Sequence, residues 1–156
     1  MASTDPGASG PVVFAYDGSE LAALAVEHAG RLLSPGRDAL VVCVWQPADV
    51  GFVPLDPDHL DAARAPDVER AAEDVAARGA ALAEQAGFRA TSAAVWSAPT
   101  WKGIVETADE RNASLIVLGS HRRSGLVGRL VGSVAAAVVA HSSRSVLVVH
   151  ERSADV

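Results

Sequence analysis

Residues 11–45 read PVVFAYDGSELAALAVEHAGRLLSPGRDALVVCVW, and the order of patterns inside that stretch decides the fold class. Val12-Val13-Phe14-Ala15-Tyr16 is a continuous apolar run rich in strand formers, the signature of a strand buried on both faces of a parallel sheet. Asp17-Gly18-Ser19 interrupts it, with Ser19 standing where a helix N-cap belongs. Leu21, Leu24, Ala25, His28 and Leu32 then recur at helical spacing, which predicts a helix with His28 on its inner stripe, closed by Pro35-Gly36. Ala39 to Trp45 is a second apolar run. Strand, helix and strand with a crossover of this length make a βαβ unit.

The pattern continues outward from that unit. Residues 46–64 hold Pro47, Pro54, Pro57 and several aspartates without a steady period, which predicts a long functional or flexible connection. Val68, Ala71, Ala72, Val75 and Leu82 share one helical stripe, with Asp67 and Glu69 in the first turn and Gly87 as the stop. Phe88 to Trp96 reads as a third strand. Pro99 opens a helix that turns Trp101, Ile104, Val105 and Ala108 inward and ends near Asn112. Ala113 to Gly119 is a fourth strand, residues 120–131 form a Gly- and Arg-containing loop, Val134 to His141 is a short Ala/Val helix, and Ser145 to His150 is the fifth strand. The expected fold is α/β: a flavodoxin-like, doubly wound, five-stranded parallel sheet in strand order 3-2-1-4-5 with helices on both faces. A single domain over residues 11–150 is expected, with residues 1–10 a disordered N-terminal tail and 151–156 a C-terminal tail.

Composition bounds the function. The chain has 156 residues, 49% of them hydrophobic and 21% charged, which excludes a disordered or fibrous protein. Its net charge of −6 argues against nucleic acid as a partner. Residues 121–129, by contrast, hold Arg122, Arg123 and Arg129 and no carboxylate, a local basic segment suited to a small anion. The opening MASTDPGASG has neither a basic start nor an apolar core, and no apolar run approaches the roughly 20 residues that span a bilayer. A cytoplasmic domain with no membrane partner is therefore expected. The single Cys43 lies inside a strand and reads as a small buried hydrophobe, and no histidine pair has metal-ligand spacing.

In a sheet of this kind ligands bind at the carboxyl ends of the strands. Three segments land there: Tyr16 to Ser19, Val44 to Gln46, and Gly119 to Ser133. The last carries Gly119, Gly125, Gly128 and Gly132, then a Ser133 that opens a helix. Glycines let backbone approach a phosphate, and a helix N-terminus offers free N–H groups and partial positive charge. The same residues are also ordinary turn and cap chemistry, and Asp17 beside Gly-Ser reads equally as a cap, a ribose ligand or a metal ligand.

With Tyr16-Asp17-Gly18-Ser19 after the first strand and LIVLGSHRRSGLVGRLVGSVAAAVVAHSSRSVLVV over residues 115–149, the chain resembles the universal stress protein family across about residues 11–150. The ATP-binding branch of that family carries a glycine, two residues, a glycine, nine residues, then glycine and a small hydroxyl residue. Gly119 and Gly132-Ser133 match; the second glycine is replaced by Arg122. The resemblance implies ATP, AMP or cyclic AMP as ligand, with Mg2+ accompanying the phosphates. It implies Asp17 on the ribose, the Val44 backbone on adenine, and Gly119, Gly132, Ser133 and the Val134 N–H around the phosphates. Arg122 would pair with phosphate from a displaced loop. It also implies a stress-response role and a homodimer formed through the edge strand Ser145 to Val149. The alternative reading is a homodimer of the same type that binds no nucleotide and works only through protein partners.

Other chemistries fit less well. A P-loop requires a lysine after its glycine, and the one lysine is Lys102 in a helix. A receiver domain would want clustered carboxylates and a lysine, and a flavodoxin a hydroxyl-rich first loop. Ser120, His121 and Asp17 could form a hydrolytic triad at adjacent strand ends, but Ser120 lacks the G-x-S-x-G elbow. Slow ATP hydrolysis has no evident base. Trp45, Trp96 and Trp101 are expected under helices, Trp45 near enough to an adenine pocket to line it.

Overall fold

The computed structural model describes residues 9–46, 65–120 and 132–151. Most of the expected 46–64 connection, the glycine loop with Arg122, and the tails over 1–8 and 152–156 lie outside the described residues. The elements run β1 (Val12–Ala15), α1 (Glu20–Leu32), β2 (Asp38–Trp45), α2 (Ala65–Gln85), β3 (Arg89–Trp96), α3 (Thr100–Glu110), β4 (Leu115–Ser120), α4 (Ser133–His141) and β5 (Ser145–His150). All five strands are parallel, in the order β3-β2-β1-β4-β5, as the alternation of strands and helices predicts.

The continuous apolar runs are explained by two cores, one on each face of the sheet. Val12, Phe14, Val41, Cys43 and Trp45 point to the face covered by α1 and α2. Val13, Leu40, Val42, Ile116 and Leu118 point to the other, covered by α3 and α4. Successive strand residues alternate between faces, so a strand covered on both sides has no polar position left. Phe14 meets Phe88 edge-to-face at 5.2 Å, and each such fully buried side chain contributes roughly 1.5–3 kcal/mol.

Helix α1 starts where Ser19 caps it: the Ser19 hydroxyl accepts the Ala22 N–H at 3.1 Å, and Asp17 Oδ1 accepts the Ser19 N–H at 2.9 Å. Its buried stripe is Leu21, Ala22, Ala25, Val26 and Ala29. His28, Leu24 and Leu32 are exposed, contrary to the predicted inner stripe. The alanine side faces the sheet because small residues allow a closer approach. Trp96 also departs from expectation: it ends the edge strand β3 and is 62% exposed rather than covered by a helix.

The amino-terminal rim of the sheet is tied by side chains. Arg37 donates to Ser114 Oγ at 2.7 Å, and Ser114 in turn donates to the Gly10 carbonyl at 2.7 Å. Arg144, ahead of β5, donates to Asp109 Oδ1 at 2.9 Å and to the Ala113 carbonyl at 3.1 Å. Among the described residues no helix is long and apolar enough to cross a membrane.

Candidate functional site

The chain builds β1, β2 and β3 outward in one direction, then returns past β1 to place β4 and β5 on its other side. The order therefore reverses between β1 and β4, and the helices leaving those strands go to opposite faces. A crevice must open at their carboxyl ends. A cavity of about 160 Å³ lies there, lined by Ala15, Val42, Val44, Ile104, Leu118 and Val134, with Tyr16, Asp17, Ser19, Thr100 and Gly119 also on its wall. Its walls are aliphatic and its polar groups few, the usual make-up of a small-molecule pocket.

Val44 lies two residues beyond Val42, the last β2 residue registered against β1. The Val42 carbonyl accepts the Tyr16 N–H at 2.9 Å, so the alternation of the strand turns the Val44 N–H and C=O to that same side, past the end of β1. A donor and an acceptor thus stand side by side at the edge of an apolar slot.

The opposite wall ends in α4. Gly132 is its N-cap without any side-chain cap, and the first-turn N–H groups of Ser133, Val134 and Ala135 have no acceptor within the helix. Val134 lines the cavity, so this positive helix end borders it. Helix α3 also begins at the cavity: Thr100 is on its wall and accepts from Gln46 Nε2 at 3.3 Å, while Pro99 provides no side-chain cap. Burial pushes the Tyr16 phenol above its ordinary 10.0, Arg78 opposing the rise and Asp17 adding to it.

The structure brings Asp17, Val44, Gly119 and Val134 to one cavity and sets Gly132 and Ser133 beside it, whereas Arg122 lies outside the described residues. Gly119 has a packing reason of its own, since a Cβ there would come within 2.7 Å of Leu21 Cγ. Trp45 does not line the cavity. It follows Val44, so it faces the other side of the sheet and packs with Val68 and Val75. Trp101 is half-buried and stacks on His141 at 4.0 Å.

Ser120, the nucleophile of the triad reading, is 1% exposed and accepts the Gly132 N–H at 2.8 Å. A hydroxyl so enclosed is not presented to a substrate, and His121 lies outside the described residues. Sequence reasoning missed Thr100 and Ile104 as wall residues. The signal was Pro99, which starts a helix immediately after the third strand and therefore at the same rim. Among the described residues no three His, Cys, Asp or Glu side chains are grouped to hold a metal.

Residues 9–150 match the family model described as the universal stress protein family. Solved structures resemble the chain over almost its whole length. Hypothetical protein MJ0577 shares 22% identity at a TM-score of 0.71, covering 94% of this chain and 99% of its own. A universal stress protein in complex with cAMP shares 28% identity at 0.65, covering 92% and 98%. The universal stress protein from Archaeoglobus fulgidus in complex with dAMP shares 21% at 0.62, covering 90% and 98%. No curated protein sequence matches the chain.

Proposed function

The chain belongs to the universal stress protein family, and on that premise we propose that its cleft binds an adenine nucleotide, ATP first among them, whose occupancy sets the state of a regulatory or interaction module in a stress response. One observation carries the reading: Val134, in the open first turn of α4, lines the same cavity as Val44 at the end of β2. An apolar slot with a backbone donor–acceptor pair thus adjoins a helix end that attracts anions. Adenine offers the matching acceptor and amino donor on one edge. Asp17, on the cavity wall, would accept from ribose hydroxyls, while its Oδ1 accepts the N–H of the α1 N-cap Ser19.

The phosphates lie toward Gly119, Gly132, Ser133 and the Val134 N–H, with Arg122 a further phosphate partner. Any Mg2+ would be held mainly by phosphate oxygens, given that no carboxylate cluster adjoins them among the described residues. That two relatives are in complex with cAMP and dAMP supports the base pocket more directly than the triphosphate.

We further propose a homodimer formed through β5. It is an edge strand whose Val146, Leu147 and Val148 are only half-buried, and an open apolar edge invites a second copy. Without nucleotide, that dimer would act through protein partners alone.

Calorimetric titration of nucleotide-stripped protein with ATP and Mg2+, and with AMP, cyclic AMP and GTP as comparators, tests the proposal. Low-micromolar adenine-nucleotide binding with GTP excluded supports it. Tighter AMP or cyclic AMP than ATP shortens the phosphate site. No heat with any of the four overturns it in favour of the nucleotide-independent dimer.

A further inference from the structure

Ser120 and Gly132 are the residues on either side of the glycine loop, twelve apart in sequence, and they are joined directly. Ser120 Oγ accepts the Gly132 N–H at 2.8 Å. Ser120 ends β4 and is 1% exposed; Gly132 is the N-cap of α4. Four amide groups at the start of a helix lack intrahelical acceptors, and here the first of them is satisfied by the strand. Gly132 then has its carbonyl engaged as well, accepting the Ala136 N–H at 2.9 Å. Both polar groups of this residue are occupied inside the protein, one by β4 and one by α4.

We propose that Ser120 is a positioning residue for phosphate, acting through Gly132: its hydroxyl pins the first turn of α4 to the end of β4 before any ligand arrives. The inference rests on the nucleotide reading above and deepens it. The amides left for an anion are those of Ser133, Val134 and Ala135, and their direction is set by where Gly132 is held. On this reading Ser120 makes no contact with the base. Among the described residues the cavity wall includes its neighbours Leu118 and Gly119 but not Ser120 itself. Fixing the turn in advance removes an ordering cost from the binding step, and only ligands that use the turn gain from it.

The division between base and phosphate supplies the test. Adenosine and ATP are titrated against the wild type, Ser120→Ala and Ser120→Cys, with melting temperatures as a control for folding. Alanine removes the acceptor, and cysteine keeps near-equal volume while accepting only weakly. Both variants are expected to lose roughly threefold to tenfold in ATP affinity, the scale of one hydrogen bond, while adenosine affinity stays within twofold. Equal losses for adenosine and ATP, or no loss for either, overturn the proposal. So does rapid hydrogen exchange of the Gly132 amide in ligand-free wild type, a measurement that needs no variant to fold. Wild type that binds neither ligand would refute the nucleotide reading itself, a result distinct from each of these.

Discussion

Gly119 and Leu21 meet so closely that no side chain fits between them: a Cβ at 119 would stand 2.7 Å from Leu21 Cγ and 3.1 Å from the Leu21 carbonyl oxygen. Helix α1 therefore rests directly on the backbone of β4. Gly119→Ala should destabilise the fold by about 1–3 kcal/mol, the usual cost of forcing extra volume into a packed contact. Combining it with Leu21→Ala should cost less than the sum of the two single changes, because the clashing Cγ is gone. Denaturant melts of the four proteins measure this; strict additivity would contradict it.

Two Arg–Asp bridges of nearly equal length differ in setting, and their contributions should differ accordingly. Arg89–Asp38 spans 2.8 Å with both side chains exposed, at 73% and 66%, whereas Arg144–Asp109 spans 2.9 Å with Arg144 at 21%. Arg144 also donates to the Ala113 carbonyl. Arg89→Ala is expected to change stability by less than about 0.5 kcal/mol. Arg144→Ala should cost about 1.5–3 kcal/mol, since it leaves a part-buried network without its charged donor. Equilibrium unfolding of both variants decides the point, and equal effects would refute it.

Tyr16 gives a pH dependence with a definite sign. Burial raises its folded value above 10.0, so between 10.0 and that raised value the unfolded chain releases a proton that the folded chain keeps. Stability from this group is full below pH 10 and declines as pH rises through the folded value. Melting temperatures of wild type and Tyr16→Phe followed from pH 8 upward should diverge above about pH 10, the phenylalanine variant falling less.

Asp17 and Ser133 should separate when changed singly. Asp17→Ala removes the proposed ribose acceptor together with the bond to the Ser19 N–H, so it is expected to weaken nucleotide binding and to lower stability by about 1 kcal/mol. Ser133 is an exposed residue at the first helical position of α4 and not its N-cap, so Ser133→Ala should weaken ATP more than adenosine and leave the melting temperature nearly unchanged. Paired calorimetry and thermal melts would show the contrast; a large stability loss for Ser133→Ala would contradict it.

The strands were legible because a twice-covered strand is apolar throughout, and Val12 to Tyr16 and Leu115 to Leu118 carry no other signal. Asp17, Val44, Gly119 and Val134 could be placed together because the fold sends every strand end to one rim. The facing of α1 was less legible. Leu24, His28 and Leu32 repeat at helical spacing just as Leu21, Ala25 and Ala29 do, and only the closeness of the sheet selects the alanine side. The Ser120–Gly132 bond leaves no trace in hydrophobic periodicity, since it joins a strand end to a helix start through one hydroxyl. Trp45 is buried under a helix as expected, and it misses the cavity that Val44 lines because adjacent strand residues face opposite sides of the sheet.

Because all five strands run the same way, two of the side-chain networks stand at the pole opposite the cavity. The Arg37–Ser114–Gly10 and Arg144–Asp109–Ala113 ties sit where strands begin, and the cavity sits where they end. Substitutions around the cavity touch none of the residues in those ties. Residues lining the cavity can therefore vary while the ties at the strands' starting ends are inherited unchanged.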